Sequence, residues 1–262
     1  MLNNVYSALS GAIAQEKALD VIANNLANVN TAGFKGDNVT FTVLDAEPNA
    51  SYTDPLPPAN YKQDLTDVMP LKGNDMDYVG IAGIHRDDTQ GPAITTHNKT
   101  DLMIEGDGYY TVQTDEGVRY SRAGDFTLSQ DGVLVTKNGH PVMGENGAIY
   151  LRSGQFDVNN GGEIYQDGQL VDRLIVSKFE DPQLLEKVGK NYFFHTGPDE
   201  NVSRMEAPAI RQGYLEGSNV NAIKNLTAMI IAHRAYEAYQ KATANFDKMM
   251  EKSANTIGSV RA

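Results

Sequence analysis

The hydrophobic period of this chain changes twice along its length, and that change constrains the fold more than any other feature. Near the N-terminus Val5, Ala12, Leu19 and Leu26 fill one seven-residue series without exception. Leu2, Leu9 and Ala23 fall on a second series three positions earlier, interrupted only by Glu16. Alternating steps of three and four put one stripe along a helix, the a/d seam of a coiled coil. The pattern predicts a helix from about Leu2 to Asn28, ended by Asn28, Asn30 and Gly33, residue types that tolerate left-handed backbone. At the other end, a helix is predicted from a cap at Ser218 or Asn219 to about Ile257. Its early face is Ile223, Leu226 and Ile230; its later face is Ala228, Ala232, Ala235, Tyr239, Ala242, Phe246 and Met249. A helix cannot bury a narrow stripe on itself, so the two end helices are expected to bury theirs against each other.

Between the ends the period falls to two. Tyr109-Tyr110-Thr111-Val112 and Val118-Arg119-Tyr120-Ser121 flank Asp115-Glu116-Gly117, a hairpin signature. Phe126-Thr127-Leu128 and Val133 to Thr136 flank Gln130-Asp131-Gly132, and Asn138-Gly139, Asn146-Gly147 and Asp167-Gly168 mark further tight turns. Strands are also expected at Leu170-Val171, Leu174 to Val176 and Tyr192 to Phe194. The expected fold class is α+β: N- and C-terminal helices paired as a coiled-coil-like helical domain, with a central antiparallel all-β domain. The expected segments are 1–35 for the first helix and the loop after it, and 36–80 for an extended proline-rich arm. The β domain then occupies 81–212, and the last helix 213–262.

Composition narrows the function classes. Twenty-two basic residues against 34 acidic ones give a formal charge of −12. Nucleic-acid binding needs clustered Lys and Arg to displace counterions from phosphate, and no such run occurs. The same sign disfavours an anionic membrane surface. Ala222 to Ala235 is the longest apolar candidate, but Lys224, Asn225, His233 and Arg234 break it well short of the ~20 residues a span requires, so no direct membrane insertion is expected. The N-terminus lacks the cationic start and unbroken apolar stretch of a cleaved signal peptide. Cysteine is absent, which excludes disulfides and thiolate metal sites.

Catalytic and ligand-binding motifs are equally lacking. His85, His97, His140, His195 and His233 show no metal-ligand spacing, and no HExxH or GxSxG occurs. Glu105-Gly106-Asp107-Gly108 lacks the Lys-Ser/Thr of a nucleotide loop and reads as a turn before a strand. Asp115, Asp125 and Asp131 lie outside any calcium-loop pattern. Arg122 and Asp125 are expected to pair at a tight corner. The expectation is a chain that is not an enzyme, with no cofactor, no metal and no small-molecule substrate.

What remains is assembly through the end helices. The candidate interface is Leu2, Val5, Leu9, Leu19 and Leu26 with Ile223, Leu226, Ile230, Tyr239 and Phe246. Asn24, Asn25 and Asn28 join it under one of two readings. They either bond local backbone at the helix end, or bond neighbouring subunits and set register as a buried polar residue does in coiled coils. A rival function is an extracellular or periplasmic binding module, an adhesin with a β head on a helical stalk. A stalk normally comes from one contiguous helix, however, and not from both chain ends. A periplasmic enzyme would need a pocket that no motif here announces.

Three segments carry a specific resemblance. Ala23-Asn24-Asn25-Leu26-Ala27-Asn28-Val29-Asn30-Thr31-Ala32-Gly33-Phe34-Lys35 closely resembles the N-terminal signature of the flagellar rod and hook protein family. Asp101 to Gly144 resembles its central β motif. Gly213-Tyr214-Leu215-Glu216-Gly217-Ser218-Asn219-Val220-Asn221 resembles its C-terminal signature. The stretches Phe179 to Pro182 and Gly189 to Phe193 look like the smaller rod proteins, not the hook protein. Tyr236 to Lys241 is closer to the proximal-rod branch than to the distal-rod branch. The resemblance implies a structural subunit exported through the flagellar export apparatus without a cleaved signal peptide. It implies helical stacking with copies of itself and other flagellar rod subunits, in a basal-body rod that spans the periplasm and transmits torque from motor to hook.

Overall fold

The computed structural model describes residues 2–45, 77–152, 155–189, 191–198 and 201–259. The chain divides into two compact units, Met1–Leu26 with Asp37–His85 and Ala222–Ala262, and Ala27–Gly36 with Arg86–Asn221.

The first unit holds the two long helices, α1 (Leu2–Ala27) and α2 (Ala222–Ser259). At ~1.5 Å per residue the 38 residues of α2 extend ~57 Å. α1 runs through Asn24 and Asn25 and stops just before Asn28, and Thr31 N–H then donates to the Asn28 carbonyl at 3.1 Å. Strands β1 (Asp37–Asp45) and β2 (Asp77–Arg86) pair as a two-stranded sheet. They occupy the two ends of the stretch expected as an arm; its proline-rich part, at 46–76, lies outside the described residues. An isolated two-stranded ribbon is at best marginal in water, and here α1 supports it: Val79 N–H donates to Ser10 Oγ at 3.2 Å.

The second unit carries the antiparallel strands β3 (Ala93–Thr95), β4 (Leu102–Glu105), β5 (Tyr109–Thr114), β6 (Gly117–Ser121), β7 (Thr127–Leu128) and β8 (Leu134–Val135). They are followed by β9 (Met143–Gly144), β10 (Gly147–Ala148), β11 (Phe156–Val158), β12 (Glu163–Gln166), β13 (Gln169–Arg173) and β14 (Val176–Phe179). The last are β15 (Leu185–Lys187), β16 (Tyr192–His195), β17 (Val202–Arg204), β18 (Ala209–Gln212) and β19 (Tyr214–Glu216). The main sheet has six strands in the order β15-β16-β6-β5-β14-β17, and β11-β12-β13 form a second sheet. β18 pairs with β4 and β19 with β3, so the last strands of the unit return to its first.

The turn residues act as the sequence suggests. Asp167 (φ 52) and Gly168 (φ 77) both adopt left-handed backbone between β12 and β13, as a two-residue hairpin turn matched to strand twist requires. Alternation along β5 serves two cores from one strand. Tyr110 enters a large cluster with Leu102, Ile104, Phe126, Leu134 and Ile164, while its neighbour Tyr109 packs with Phe179, Leu185 and Phe193. Burying these side chains is the dominant favourable term for this unit.

Candidate assembly interface

α1 turns a face of small residues inward: Ala8, Gly11, Ala12, Ala14 and Ala18 are all buried. Small side chains let another element approach closely, and Gly11 sits against the ring of Tyr239 on α2. Of the predicted α1 stripe, Val5, Leu19 and Leu26 are half-buried and Leu9 is exposed. Leu2 opens the helix, and its side chain lies outside the described residues.

α2 has two apolar faces with different fates. Ala228, Ala232, Ala235, Tyr239, Ala242 and Phe246 are buried or half-buried, at alternating steps of four and three. Ile223, Leu226 and Ile230 are 76%, 47% and 55% exposed, and the adjacent Ile231 is 63% exposed. The expectation that Ile223, Leu226 and Ile230 are buried within the helix pair is therefore corrected. Packing of α2 within its unit starts with the alanine-rich register, whose small residues permit closer approach, and leaves the branched residues facing solvent.

The asparagines separate by role. Asn25 is 5% exposed, and its amide spans the backbone of Asp37: Nδ2–H donates to the Asp37 carbonyl at 2.7 Å, and Oδ1 accepts from the Asp37 N–H at 2.9 Å. It bonds backbone, as one reading had it, but twelve residues away and not at the helix end itself. It thereby sets where β1 departs. Asn28 Oδ1 accepts from Thr31 Oγ1 at 3.2 Å, which is local turn chemistry. Asn24 is exposed.

Charged residues the interface reading had not singled out come together in the second unit. Glu216 is 2% exposed and is gripped from two sides. Lys35 Nζ donates to Oε1 at 2.6 Å and Arg122 Nε to Oε2 at 2.5 Å. The expected Arg122–Asp125 pair is thus corrected: Asp125 pairs with Lys137 at 2.7 Å, and the guanidinium turns inward to Glu216. The rest of Arg122 is satisfied by carbonyls of Ile104, Gly106 and Gly108. Glu105-Gly106-Asp107-Gly108 is accordingly a cradle of carbonyls for a cation, the reverse of a phosphate loop, which presents N–H groups. Gly106 (φ 87) and Gly108 (φ 125) supply the backbone turn that aims them. Burial holds Lys35 below the usual lysine range, against the opposing pull of Glu216.

Around this cluster the two end signatures are stitched together. Gly33 N–H donates to the Glu216 carbonyl at 2.8 Å, and Gly36 N–H to Asn219 Oδ1 at 2.8 Å. Asn219 Nδ2 donates in turn to the Asp87 carbonyl at 2.7 Å. Asn219 is therefore occupied here and not as a helix cap, and α2 begins only at Ala222. Gly33 (φ 66) lies so close to Arg122 and Ala123 that an added β-carbon would come within 2.5 Å of their backbone. Lys35, Arg122 and Glu216 carry no periodic signal, since a buried charge is invisible to hydrophobic patterning. The one cue was their presence inside the three segments that stood out.

The histidines do not converge. His140 Nδ1 lies 3.0 Å from the Tyr192 hydroxyl, which also meets Thr136 Oγ1 at 2.7 Å. His233 faces Glu237 at 3.5 Å along α2. Among the described residues no group of three or more His, Asp or Glu is arranged to hold a metal ion, and no helix is long and apolar enough to cross a membrane.

Comparison with known proteins bears directly on this architecture. Residues 5–35 match a family described as flagella basal body rod protein, and residues 211–257 match the flagellar basal body rod FlgEFG protein C-terminal. Residues 103–146 match the flagellar hook protein FlgE/F/G D1 domain. The flagellar basal-body rod protein FlgF of Caulobacter vibrioides is 32% identical over 99% of this chain and 100% of its own length. FlgG of Agrobacterium fabrum is 32% identical over 92% of the chain and 94% of its own, and FlgG of Bacillus subtilis is 29% identical over 97% and 99%. Identity at this level across nearly whole chains, with the three family segments in the same order, shows that this chain belongs to the flagellar basal-body rod protein family and is a structural subunit of that rod.

Proposed function

We propose that the subunit polymerises helically through α1 and α2, with copies of itself and with related rod subunits. The observation that carries this reading is the row Ile223, Leu226, Ile230 and Ile231, exposed on one side of a ~57 Å helix whose other side is already used. Four branched side chains in water at helical spacing favour burial on a neighbour, and contiguous exposed apolar rows mark such contacts. Leu9 of α1 adds a second exposed apolar position, and Val5, Leu19, Leu26, Tyr239 and Phe246 support each helix from within. Different surfaces meeting head-to-tail without closing a ring generate an open helical filament. In this reading the product is the periplasm-spanning shaft that carries torque from motor to hook. The chain reaches it through the flagellar export apparatus, and acts by contact, not by catalysis. The run Tyr236 to Lys241 favours a proximal position in the rod.

The test is Leu226→Asp with Ile230→Asp. Both side chains are exposed, so circular dichroism and the melting temperature of the purified subunit should match wild type, while rod formation and motility are lost. Normal rods from this double variant would defeat the assignment.

A further inference from the structure

We propose that residues 27–36 form a charge-locked strap, closed on the second unit only when Glu216 is in place, so that one carboxylate registers the presence of both helix-bearing ends of the chain. This goes beyond polymerisation and rests on geometry within the second unit alone. The strap begins at the end of α1, and Glu216 lies just before α2 begins at Ala222. Lys35 and Glu216 are 181 positions apart in sequence and 2.6 Å apart in space.

The charge balance gives the lock its logic. Two buried cations, Lys35 and Arg122, share a single carboxylate, the only one ion-paired to either among the described residues. Carbonyls of Thr89, Ile104, Gly106 and Gly108 complete their hydrogen bonds but carry no full charge. Glu216 also accepts from the Gly91 N–H at 3.0 Å, so its two oxygens tie together the strap, the segment after β2 and the β6 end. Remove it, and two cations face each other out of water, which is costly for any buried charge that loses its partner. The strap itself supplies one of those cations. Its remaining bonds run largely to the same stretch as Glu216: Gly33 N–H donates to the Glu216 carbonyl and Gly36 N–H to Asn219 Oδ1, both at 2.8 Å, and Asn219 N–H to the Phe34 carbonyl at 3.4 Å. Asp87 N–H to the Gly36 carbonyl at 2.8 Å, Asn191 Nδ2 to the Ala32 carbonyl at 3.3 Å and Lys187 Nζ to the Lys35 carbonyl at 2.6 Å complete them. The unlocked strap therefore lifts away while the cores around Tyr109 and Tyr110, which do not include it, persist. A chain without its final segment cannot set the residues following α1 in place.

Amide hydrogen exchange on the full-length protein tests this. In Glu216→Gln, protection at Gly33 and Gly36 should fall by about tenfold or more, as expected on losing bonds to a charged group. Amides in β5 and β6 should stay within about twofold of wild type. Unchanged protection at Gly33 and Gly36 overturns the proposal. If Glu216→Gln unfolds the whole unit, Lys35→Met decides, because it removes the strap's own charge and leaves Arg122 paired with Glu216. Selective loss of strap protection in Lys35→Met supports the lock. Loss shared equally with β5 and β6, or no loss, overturns it.

Discussion

Gly11 of α1 faces the ring of Tyr239 of α2 so closely that a methyl group added at Gly11 would come within 2.5 Å of the Tyr239 Cζ. Glycine inside a helix costs about 1 kcal/mol relative to alanine, so space for the ring is the reason to keep it. Gly11→Ala should destabilise the wild-type chain by about 1–2 kcal/mol. In a Tyr239→Ala background the same change should stabilise by about 1 kcal/mol. Chemical denaturation across the four-member cycle measures the coupling, and additive effects would mean that the two residues do not meet in solution.

Asn25 offers a test of backbone pinning. Its amide both donates to and accepts from Asp37, so no other residue type of similar size can make both bonds. Asn25→Ala removes both bonds to the Asp37 backbone and should cost about 2–3 kcal/mol. Asn25→Asp should cost a similar amount, since a carboxylate accepts from the Asp37 N–H but cannot donate to its carbonyl. If Asn25→Asp proves as stable as wild type by urea denaturation, the donated bond contributes nothing.

His195 presents the opposite case. It is 8% exposed, its ring lies tilted at 5.2 Å from that of Phe179, and neither ring nitrogen has a hydrogen-bond partner among the described residues. A buried polar group without a partner carries a desolvation cost. His195→Phe should therefore raise the stability of the second unit by about 1 kcal/mol, or a few degrees in melting temperature. A clear drop in melting temperature would show that the imidazole is hydrogen-bonded in solution.

Alkaline stability should reflect two groups with opposite signs. Burial, together with the charge of Asp88, pushes the Tyr109 hydroxyl up to about 12, outweighing the pull of Arg86 and Arg122 in the other direction. A raised folded pKa means the folded state holds its proton longer, so this contribution is intact below pH ~10 and is lost as pH climbs toward 12. The loss amounts to roughly 2–3 kcal/mol. Lys35, lowered chiefly by burial, works the other way, because the folded state releases its proton first and gains stability with rising pH below the ordinary lysine value of 10.5. Denaturation midpoints between pH 9 and 12 should fall less steeply in Tyr109→Phe and more steeply in Lys35→Met. Parallel slopes in all three proteins would refute both assignments.

Element type reads directly from local spacing, and here it did. The helices at both ends, the hairpin across Asp115-Glu116-Gly117 and the turn at Asp167-Gly168 follow from local spacing and backbone freedom, which act over a few residues. The family, too, is legible in the three signature segments alone. Which face of α2 turns inward was not legible, because Ala228–Phe246 and Ile223–Ile230 have equally regular spacing. Close approach at Gly11, a property of the partner helix, favours the first and leaves the second in water. Nor could the sequence pair Lys35 with Glu216 or redirect Arg122 from Asp125, since a charge finds its partner by where distant backbone carries it. Short-range chemistry made the elements; only long-range packing decided which charges would be buried together and which apolar row would be left for a neighbour.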